Sequence, residues 1–364
     1  MEELAVLAFD LGASSCRAMV GFIDEAERRV RVEELYRWPN YMVRVGDGLY
    51  WDVLRIWHEM KGALRAAYRR LGSKLVSVGV DTWGIDFALL DASGMLVENP
   101  HTYRDPRTRG VSAELHKIVP PEEIFRCTGN HILEINTLYQ LYSLKLRRPH
   151  VLRAAKTFLM IPDLFNYWLT GQLTNEFTEA TTSQMFDIRN RRWCLEIITR
   201  LDMPADIFSA RVIEPGDEIG PVDPRLADEL GLPKDIKVVA PATHDTASAV
   251  AAGPLVDERT GYVSSGTWSL VGVELPEPLF SPEGLRYNFT NEGGAFGTIT
   301  YLKDLQGMWL VEESRRALAA QGRELSYDEI ASLASSSPPF LAFIDTDDAR
   351  FISPLNMVEE VRAY

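Results

Sequence analysis

The sequence predicts an α/β protein of two domains, from its length, its order of strands and helices, and a turn motif that occurs twice. At 364 residues the chain exceeds the length at which one hydrophobic core usually stops growing. Strand-like segments at 4–10, 17–23 and 30–36 precede an amphipathic helical pattern over 54–67 and a further strand at 75–80. Ligands in such sheets gather where strands end, so polar residues there are the candidate site residues.

The first strand ends in Asp10 and continues into a turn of small and hydroxyl residues, Gly12-Ala13-Ser14-Ser15. Backbone N–H groups in such a turn can bind an anion, and Asp10 can hold a cation beside it. The pattern therefore suits a nucleotide phosphate with Mg²⁺. An ordinary surface hairpin is the alternative.

A second strand and hydroxyl-rich turn covers residues 261–270 and contains Ser265-Gly266-Thr267. Two such turns in separate halves of the chain are expected when a nucleotide lies between two related domains. We therefore predict one domain over residues 1–245 and another over residues 246–364.

Asp245 is the candidate catalytic base. It follows a short strand at 238–240 and begins a small-residue helix over 246–253, where free N–H groups and the helix dipole favour a carboxylate. Phosphoryl transfer to an alcohol needs positioning, charge neutralisation and a base near the attacking hydroxyl. Neither the Walker pattern nor the Rossmann turn is present. A purely structural N-terminal aspartate is the alternative.

Two more segments carry candidate residues with open interpretations. Trp83 and Asp86 follow the strand at 75–80 and would suit a polyol pocket, although Trp83 could equally belong to the core. Arg104, Arg107 and Arg109 form a basic loop, which we interpret as solvated surface. The middle of the chain is mainly helical, with apolar spacing typical of helices at 138–146 and 161–169.

Composition and charge exclude several kinds of partner. With 46% hydrophobic and 25% charged residues, the chain has the composition of an ordinary globular protein. Its net charge of −14 argues against nucleic acid and an anionic membrane surface, and no apolar run suffices for a membrane span. Cys16, Cys127 and Cys194 have no C-x-x-C spacing, so reduced thiols, no zinc site and a cytoplasmic location are expected.

Taken together, the motifs resemble the FGGY carbohydrate kinases along essentially the whole chain. The matching segments, in the family's order, are 10–17, 79–86 with 103–105, 136–141, 244–250, 264–270 and 291–294. The resemblance implies an actin-like, ribonuclease-H-like pair of domains with ATP and Mg²⁺ in the cleft. It also implies ATP-dependent phosphorylation of L-rhamnulose at its 1-hydroxyl. One alternative is a kinase for another ketose, such as L-fuculose or D-xylulose. The other is a protein without kinase activity, either a sugar-binding module or a decayed fragment.

The resemblance assigns residues to three groups, with Asp245 as the base that takes the proton of the sugar hydroxyl. The sugar-binding group is Trp83, Gly84, Asp86, His244, Asp245, Thr246 and Asp304. The nucleotide-binding group is Asp10, Gly12, Ala13, Ser14, Ser15, Cys16, Arg17, Ser265, Gly266, Thr267 and Glu312. Asp10 and Asp245 form the metal group.

The sequence departs from the family's pattern at several positions. Cys16 stands where the family usually has glycine, and Asp304 and Glu312 stand where it has amides. The sequence ends at Tyr364 within an amphipathic helical pattern, before a Gly-rich adenosine motif of the family. We therefore expect the second domain to be incomplete as written and include a separately encoded C-terminal fragment as a candidate partner.

Overall fold

A computed structural model describes residues 4–24, 26–257, 259–346, 348–352 and 354–364. The first domain begins with five strands, one long helix and two further strands. Their bounds are β1 (Leu4–Leu11), β2 (Ser15–Asp24), β3 (Arg29–Pro39), β4 (Met42–Val45), β5 (Gly48–Trp51), α1 (Val53–Leu71), β6 (Leu75–Thr82) and β7 (Phe87–Leu90).

Short helices and strands make up the rest of this domain. Its helices are α2 (Val111–Leu115), α3 (Pro121–Thr128), α4 (Thr137–Arg147), α5 (Pro149–Ala154), α6 (Ile161–Thr170), α7 (Phe177–Thr182), α8 (Leu195–Arg200), α9 (Pro224–Leu230) and α10 (Asp245–Ala251). Its remaining strands are β8 (Thr157–Met160), β9 (Thr174–Glu176), β10 (Phe186–Asp187), β11 (Arg192–Trp193), β12 (Arg211–Ile213), β13 (Glu218–Pro221) and β14 (Lys237–Val239).

A six-stranded sheet of order β13-β14-β6-β1-β2-β3 organises the first domain. Strands β1 and β14 both run parallel to β6, whereas the other pairings are antiparallel. Alternate residues of β1 point to opposite faces, and those on the inner face, Ala5, Leu7, Phe9 and Leu11, are buried. The amphipathic helix α1 packs against β1, β2, β3 and β6. The predicted strands and this helix are confirmed.

The second domain is built on an antiparallel sheet of order β15-β16-β18-β17. Its strands are β15 (Gly261–Ser265), β16 (Trp268–Leu275), β17 (Thr290–Gly293) and β18 (Ile299–Gln306), and its helices are α11 (Pro282–Arg286), α12 (Trp309–Ala320), α13 (Tyr327–Ser336) and α14 (Met357–Ala363). The predicted second strand-turn-strand unit is therefore confirmed as β15, its turn and β16. Within the described ranges, no helix has the length and apolar character needed to cross a membrane.

A disulfide joins Cys127 to Cys194, so the prediction that all three thiols are reduced is wrong for this pair. The two cysteines lie 67 residues apart in sequence and meet because α3, which ends with Cys127 and Thr128, contacts β10, while β11, the hairpin partner of β10, directly precedes Cys194. Spacing along the sequence carries no signal for such a long-range contact. Cys16 is a free, buried thiol.

We expect replacement of both disulfide cysteines by serine to lower the free energy of unfolding. Closing a loop of this length restricts the unfolded chain, and such a cross-link typically contributes about 2–4 kcal/mol. Denaturant titration of the oxidised wild type and the double variant measures the difference. Reduced wild type should resemble the double variant; equal stability of oxidised and reduced protein would contradict the expectation.

Candidate active site

Three carboxylates lie near one edge of the central sheet because of strand register. Asp10 pairs with Asp81 in the parallel β1–β6 ladder. One position further, Thr82 forms a parallel bridge with His244, and the Thr82 N–H donates to the Thr243 carbonyl at 2.8 Å. Asp245, at the start of α10, therefore follows the same sheet edge.

A cavity of about 580 Å³ opens at this edge and is lined by both domains. It collects most of the residues predicted for sugar and nucleotide. Those on its wall are Asp10, Gly12, Ala13, Ser14, Ser15, Arg17, Trp83, Gly84, His244, Asp245, Thr246, Ser265, Gly266, Thr267 and Asp304. The two hydroxyl-rich turns and the candidate base thus share one crevice.

The first turn is closed by backbone hydrogen bonds. The Gly12 N–H donates to the Ser15 carbonyl at 3.1 Å, and the Asn40 side chain donates to the Gly12 carbonyl at 3.0 Å. A Cβ on Gly12 would lie only 2.8 Å from the Ser15 carbonyl oxygen, so the turn requires glycine there. Arg17 emerges beside it and pairs with Asp10 at 3.1 Å.

The second turn connects β15 to β16 on the facing domain. The Gly266 N–H donates to the Trp268 carbonyl at 2.8 Å, which holds the turn tight. The Met308 N–H donates to the Gly266 carbonyl at 2.9 Å, and the Trp309 N–H, at the start of α12, donates to the Thr267 carbonyl at 3.1 Å. The turn is therefore fixed from both sides.

Asp245 belongs to a chain of charged groups that crosses between the domains. Glu292 lies on β17, and its Oε2 is 3.3 Å from His244 Nδ1, while His244 Nε2 is 3.7 Å from Asp245 Oδ1. Burial alone lowers the pKa of His244, but the Glu292 hydrogen bond and the charges of Glu292 and Asp245 raise it to about 9. The imidazole is therefore cationic at neutral pH.

The surroundings of Asp245 and Asp81 raise the pKa values of both carboxyl groups. The pKa of Asp245 is raised, chiefly by burial. The charge of His244 acts in the opposite direction, and the charge of Asp10 adds to the rise. Burial, followed by the charges of Asp10 and Asp245, raises the pKa of Asp81 well above its ordinary value. Asp245 still exposes 38% of its side chain, so its carboxylate is accessible to a ligand.

Asp86 does not line the cavity, contrary to the sugar-binding prediction. It is fully buried and accepts hydrogen bonds at Oδ2 from Trp51 Nε1 at 2.6 Å, Trp83 Nε1 at 3.0 Å and the Tyr103 N–H at 3.1 Å. Its other oxygen accepts from Gln140 at 2.9 Å. Asp86 therefore fixes the ring of Trp83 and the backbone at Tyr103, two residues that line the cavity.

We expect Asp86→Ala to raise the KM for the sugar about tenfold while leaving the KM for the nucleotide within about twofold. The change leaves buried donors of Trp83 and Tyr103 without an acceptor, a loss of about 1–3 kcal/mol in such sites. Steady-state kinetics with each substrate varied in turn provides the measurement. An equal rise in both constants would indicate general loosening of the cleft.

Two of the residues predicted to bind nucleotide also lie away from the cavity. Cys16 points to the opposite face of β2 from Arg17 and is buried in the core, because neighbouring residues of a strand alternate. Burial and the nearby Asp10 charge raise the pKa of its thiol. Glu312, on α12, is instead paired with Arg315 at 2.9 Å and accepts from the Tyr327 hydroxyl at 2.8 Å.

The basic loop is not solvated surface as predicted. Arg107 donates to the Thr102 carbonyl at 3.3 Å and to Gln140, and burial lowers its pKa. Arg104 stacks on the ring of Trp309, with Cζ 3.7 Å from the ring centroid. Only Arg109 is exposed.

Several cavity residues had no role in the sequence-based prediction: Asp81, His131, Thr182 and Glu292. Asp81 follows the strand-end rule that identified Asp10 and could have been found by it. Glu292 lies within a recognised motif. His131, whose Nε2 is 3.6 Å from Asp304, comes from a loop that carries no local sequence signal.

Comparison with known proteins agrees with this arrangement. The N-terminal domain of the FGGY family of carbohydrate kinases matches residues 5–252, and the family's C-terminal domain matches residues 261–360. This chain belongs to the FGGY family of carbohydrate kinases. The predicted family and enzyme class are confirmed, and the family supports ATP as cosubstrate.

Among curated relatives of this FGGY kinase, the rhamnulokinase of Oceanobacillus iheyensis is 38% identical over 98% of this chain and 74% of its own length. That of Halalkalibacterium halodurans is 39% identical with the same coverage. None of the matches supports the separately encoded C-terminal fragment considered from the sequence.

Solved structures of sugar and polyol kinases share the fold. A ligand-bound xylulose kinase from Lactobacillus acidophilus superposes with a TM-score of 0.77 at 16% identity, covering 92% of this chain and 66% of that one. Plasmodium falciparum glycerol kinase with ADP gives a TM-score of 0.73 at 12% identity, with coverages of 92% and 67%. At such identities the likeness bears on the fold alone, and it confirms the predicted actin-like pair of domains.

Proposed function

We propose that this FGGY kinase transfers the γ-phosphoryl group of ATP to the 1-hydroxyl of L-rhamnulose. The observation that supports the proposal is the shared cavity, whose lining includes Asp245, the two hydroxyl-rich turns and the polar and aromatic residues Trp83, His244 and Asp304. Rhamnulokinases at 38% and 39% identity over 98% of the chain favour L-rhamnulose among ketoses. The proposed domain boundary near residue 246 falls at the start of α10, and the proposed location is the cytoplasm.

In the proposed reaction Asp245 accepts the proton of the 1-hydroxyl as that oxygen attacks the γ-phosphorus. The bond from the γ-phosphorus to the bridging oxygen then breaks, and the electron pair leaves with ADP. Phosphoryl transfer depends mainly on positioning and charge stabilisation, which the backbone N–H groups of the two turns and Arg17 are suited to provide. The His244 cation beside Asp245 favours the ionised form of the base.

The sugar wall offers hydrogen-bonding groups next to an aromatic face. Trp83 supplies the ring, while His244, Thr246 and Asp304 supply polar groups on the cavity surface. Gly84 allows close approach, because a Cβ there would lie 3.3 Å from His244 Nε2. Glu292 and His131 support His244 and Asp304 respectively, at 3.3 Å and 3.6 Å.

The donor set also fits Mg²⁺, which prefers carboxylate oxygens, waters and substrate phosphates. Asp10 and Asp245 are the proposed ligands, with Asp81 adjacent in the β1–β6 register. Among the described residues no cluster of three or more His, Cys, Asp or Glu side chains could hold a metal ion alone, so the proposed site needs phosphate oxygens and waters as further ligands. When bound, Mg²⁺ neutralises charge on the transferring phosphoryl group.

A panel of ketoses tests the proposal. The purified chain is incubated with ATP, Mg²⁺ and L-rhamnulose, L-fuculose or D-xylulose, and sugar phosphate is identified by mass spectrometry. We expect L-rhamnulose 1-phosphate to form with the highest kcat/KM, because a pocket that hydrogen-bonds one arrangement of hydroxyls rejects others strongly. Preference for another ketose would reassign the substrate, and binding of sugar without turnover would identify an inactive sugar-binding protein.

A further inference from the structure

Arg104 lies where the sugar side of the cleft meets the nucleotide side. It belongs to the first domain and directly follows Tyr103, whose ring lines the cavity. Its Cζ is 3.7 Å from the ring centroid of Trp309, 5.9 Å from that of Trp268 and 5.0 Å from that of Tyr103. A guanidinium group among three aromatic rings from both domains is a cation–π contact that spans the cleft.

Each partner of Arg104 is tied to one side of the active site. The Trp309 N–H donates to the Thr267 carbonyl at 3.1 Å, and Trp268 follows that turn directly and lines the cavity. On the other side, the Tyr103 N–H donates to Asp86 at 3.1 Å, and Asp86 also holds Trp83. The Arg104 guanidinium therefore contacts residues that are bonded directly to the turn at 265–267 on one side and to Asp86, behind Trp83, on the other.

The aromatic neighbours of Arg104 are largely enclosed. Tyr103 and Trp309 expose only 5% and 9% of their surfaces. Arg104 Nη1 donates to the Ile352 carbonyl at 3.0 Å, and Trp309 Nε1 donates to the neighbouring Phe351 carbonyl at 3.0 Å. These two bonds hold the guanidinium and the Trp309 ring to adjacent carbonyls of one segment, so that Arg104 and Trp309 are anchored together.

We propose that Arg104 is a positioning residue that couples the turn at 265–267 to the sugar-facing loop at 103–109, so that nucleotide and sugar bind cooperatively. The inference rests on the proposed function only in assigning these two walls to nucleotide and sugar. Arginine suits the role because its planar cation stacks and donates at the same time, which lysine does less well.

Hydrogen exchange tests the coupling without reference to the sugar. The probe is Mg²⁺ with the non-hydrolysable analogue AMP-PNP, and the readout is amide exchange in the 103–109 loop by mass spectrometry. In the wild type we expect the nucleotide to slow exchange of this loop at least about fivefold, since allosteric coupling factors commonly begin near that value. In Arg104→Ala the effect should vanish, and Arg104→Lys should retain part of it.

Arg109→Ala is the matched control, because Arg109 lies on the same loop, is exposed, and its side chain makes no hydrogen bond or ion pair within the described part of the chain. It should respond to AMP-PNP like the wild type. Trp309→Phe, which keeps an aromatic ring for packing, provides a second variant if Arg104→Ala fails to fold, and it should weaken the response. Nucleotide protection that persists unchanged in the folded variants, or that is missing in the wild type, overturns the proposal.

Kinetics separate this inference from the proposed function. With a ketose that the wild type phosphorylates, Arg104→Ala should raise both KM values about tenfold and change kcat less than about threefold, as loss of cooperative binding predicts. If no ketose is phosphorylated, the proposed function fails while the exchange experiment still decides the coupling. A fall in kcat without change in either KM would contradict a positioning role for Arg104.

Discussion

Asp245→Asn is expected to lower kcat by about two to four orders of magnitude, the contribution typical of a general base. Asparagine keeps the size of the side chain and the hydrogen bond that Thr246 Oγ1 donates at 3.2 Å. It cannot accept the proton of the attacking hydroxyl, and it removes a negative charge from the proposed metal site. Steady-state kinetics with the preferred ketose of the wild type measures the loss.

Binding measurements separate chemistry from folding in this experiment. Calorimetric titration with the sugar should give a dissociation constant within about tenfold of the wild type, because the walls of the cavity are unchanged, and thermal unfolding should show an intact fold. Thr246→Ala is the comparison variant: it removes a neighbouring hydroxyl of the proposed sugar wall but leaves the base, so it should raise the KM for the sugar while lowering kcat far less than Asp245→Asn. A kcat for Asp245→Asn within tenfold of the wild type would show that another group takes the proton.

The sequence was sufficient to predict where the cavity would form. Polar residues at strand ends and the repeated hydroxyl turn depend on local patterns, so Asp10, Asp245 and the turn at 265–267 could be predicted to lie together. The parallel register that joins Asp10 to Asp81 adds a third carboxylate by the same rule. Their roles in binding and catalysis stay predictions until they are measured.

Residues that matter through long-range contacts could not be predicted in the same way. Asp86 was expected to contact the sugar, but its oxygens accept four hydrogen bonds in the interior, and three of the donors, Trp51, Tyr103 and Gln140, come from other segments. Arg104 was assigned to the surface because arginine in a polar loop usually is, and its aromatic partner Trp309 comes 205 residues later. The Cys127–Cys194 pairing likewise depends on tertiary packing. Local patterns contain no information about such partners.

Glu176→Ala is expected to lower the free energy of unfolding by about 3 kcal/mol or more, because a buried donor left without an acceptor costs about 1–3 kcal/mol and several donors share this carboxylate. The carboxylate is fully buried and accepts from the N–H and hydroxyl of Thr243 at 3.1 and 2.6 Å, and from those of Thr178 at 3.0 and 2.6 Å. Alanine leaves these donors unpaired in the interior. Denaturant titration measures the loss.

Glu176 also fixes the backbone that leads into the candidate base. Thr243 directly precedes His244, whose N–H donates to Thr178 Oγ1 at 3.2 Å. If Glu176→Ala folds, we expect kcat to fall at least about tenfold, since small displacements of a reacting group are costly. Glu176→Gln keeps one acceptor oxygen and should lose less of both stability and activity. Equal losses in both variants would imply that the carboxylate charge, and not its geometry, holds the strand end.

Glu179→Gln should have the opposite effect on stability, although Glu179 is also fully buried and lies three residues away. Neither of its carboxyl oxygens has a hydrogen-bond partner in the described segments, and burial, then the charges of Asp163 and Asp245, raises its pKa well above 4.5. The folded protein therefore binds a proton that the unfolded chain releases above pH 4.5, so stability falls as the pH rises from there toward the raised pKa. Glutamine removes this dependence. The difference in the free energy of unfolding between Glu179→Gln and wild type should therefore grow from about pH 5 to about pH 8, the range in which proteins tend to be most stable. Denaturant titrations at several pH values measure this difference. A difference that does not change with pH would show that Glu179 is ionised throughout.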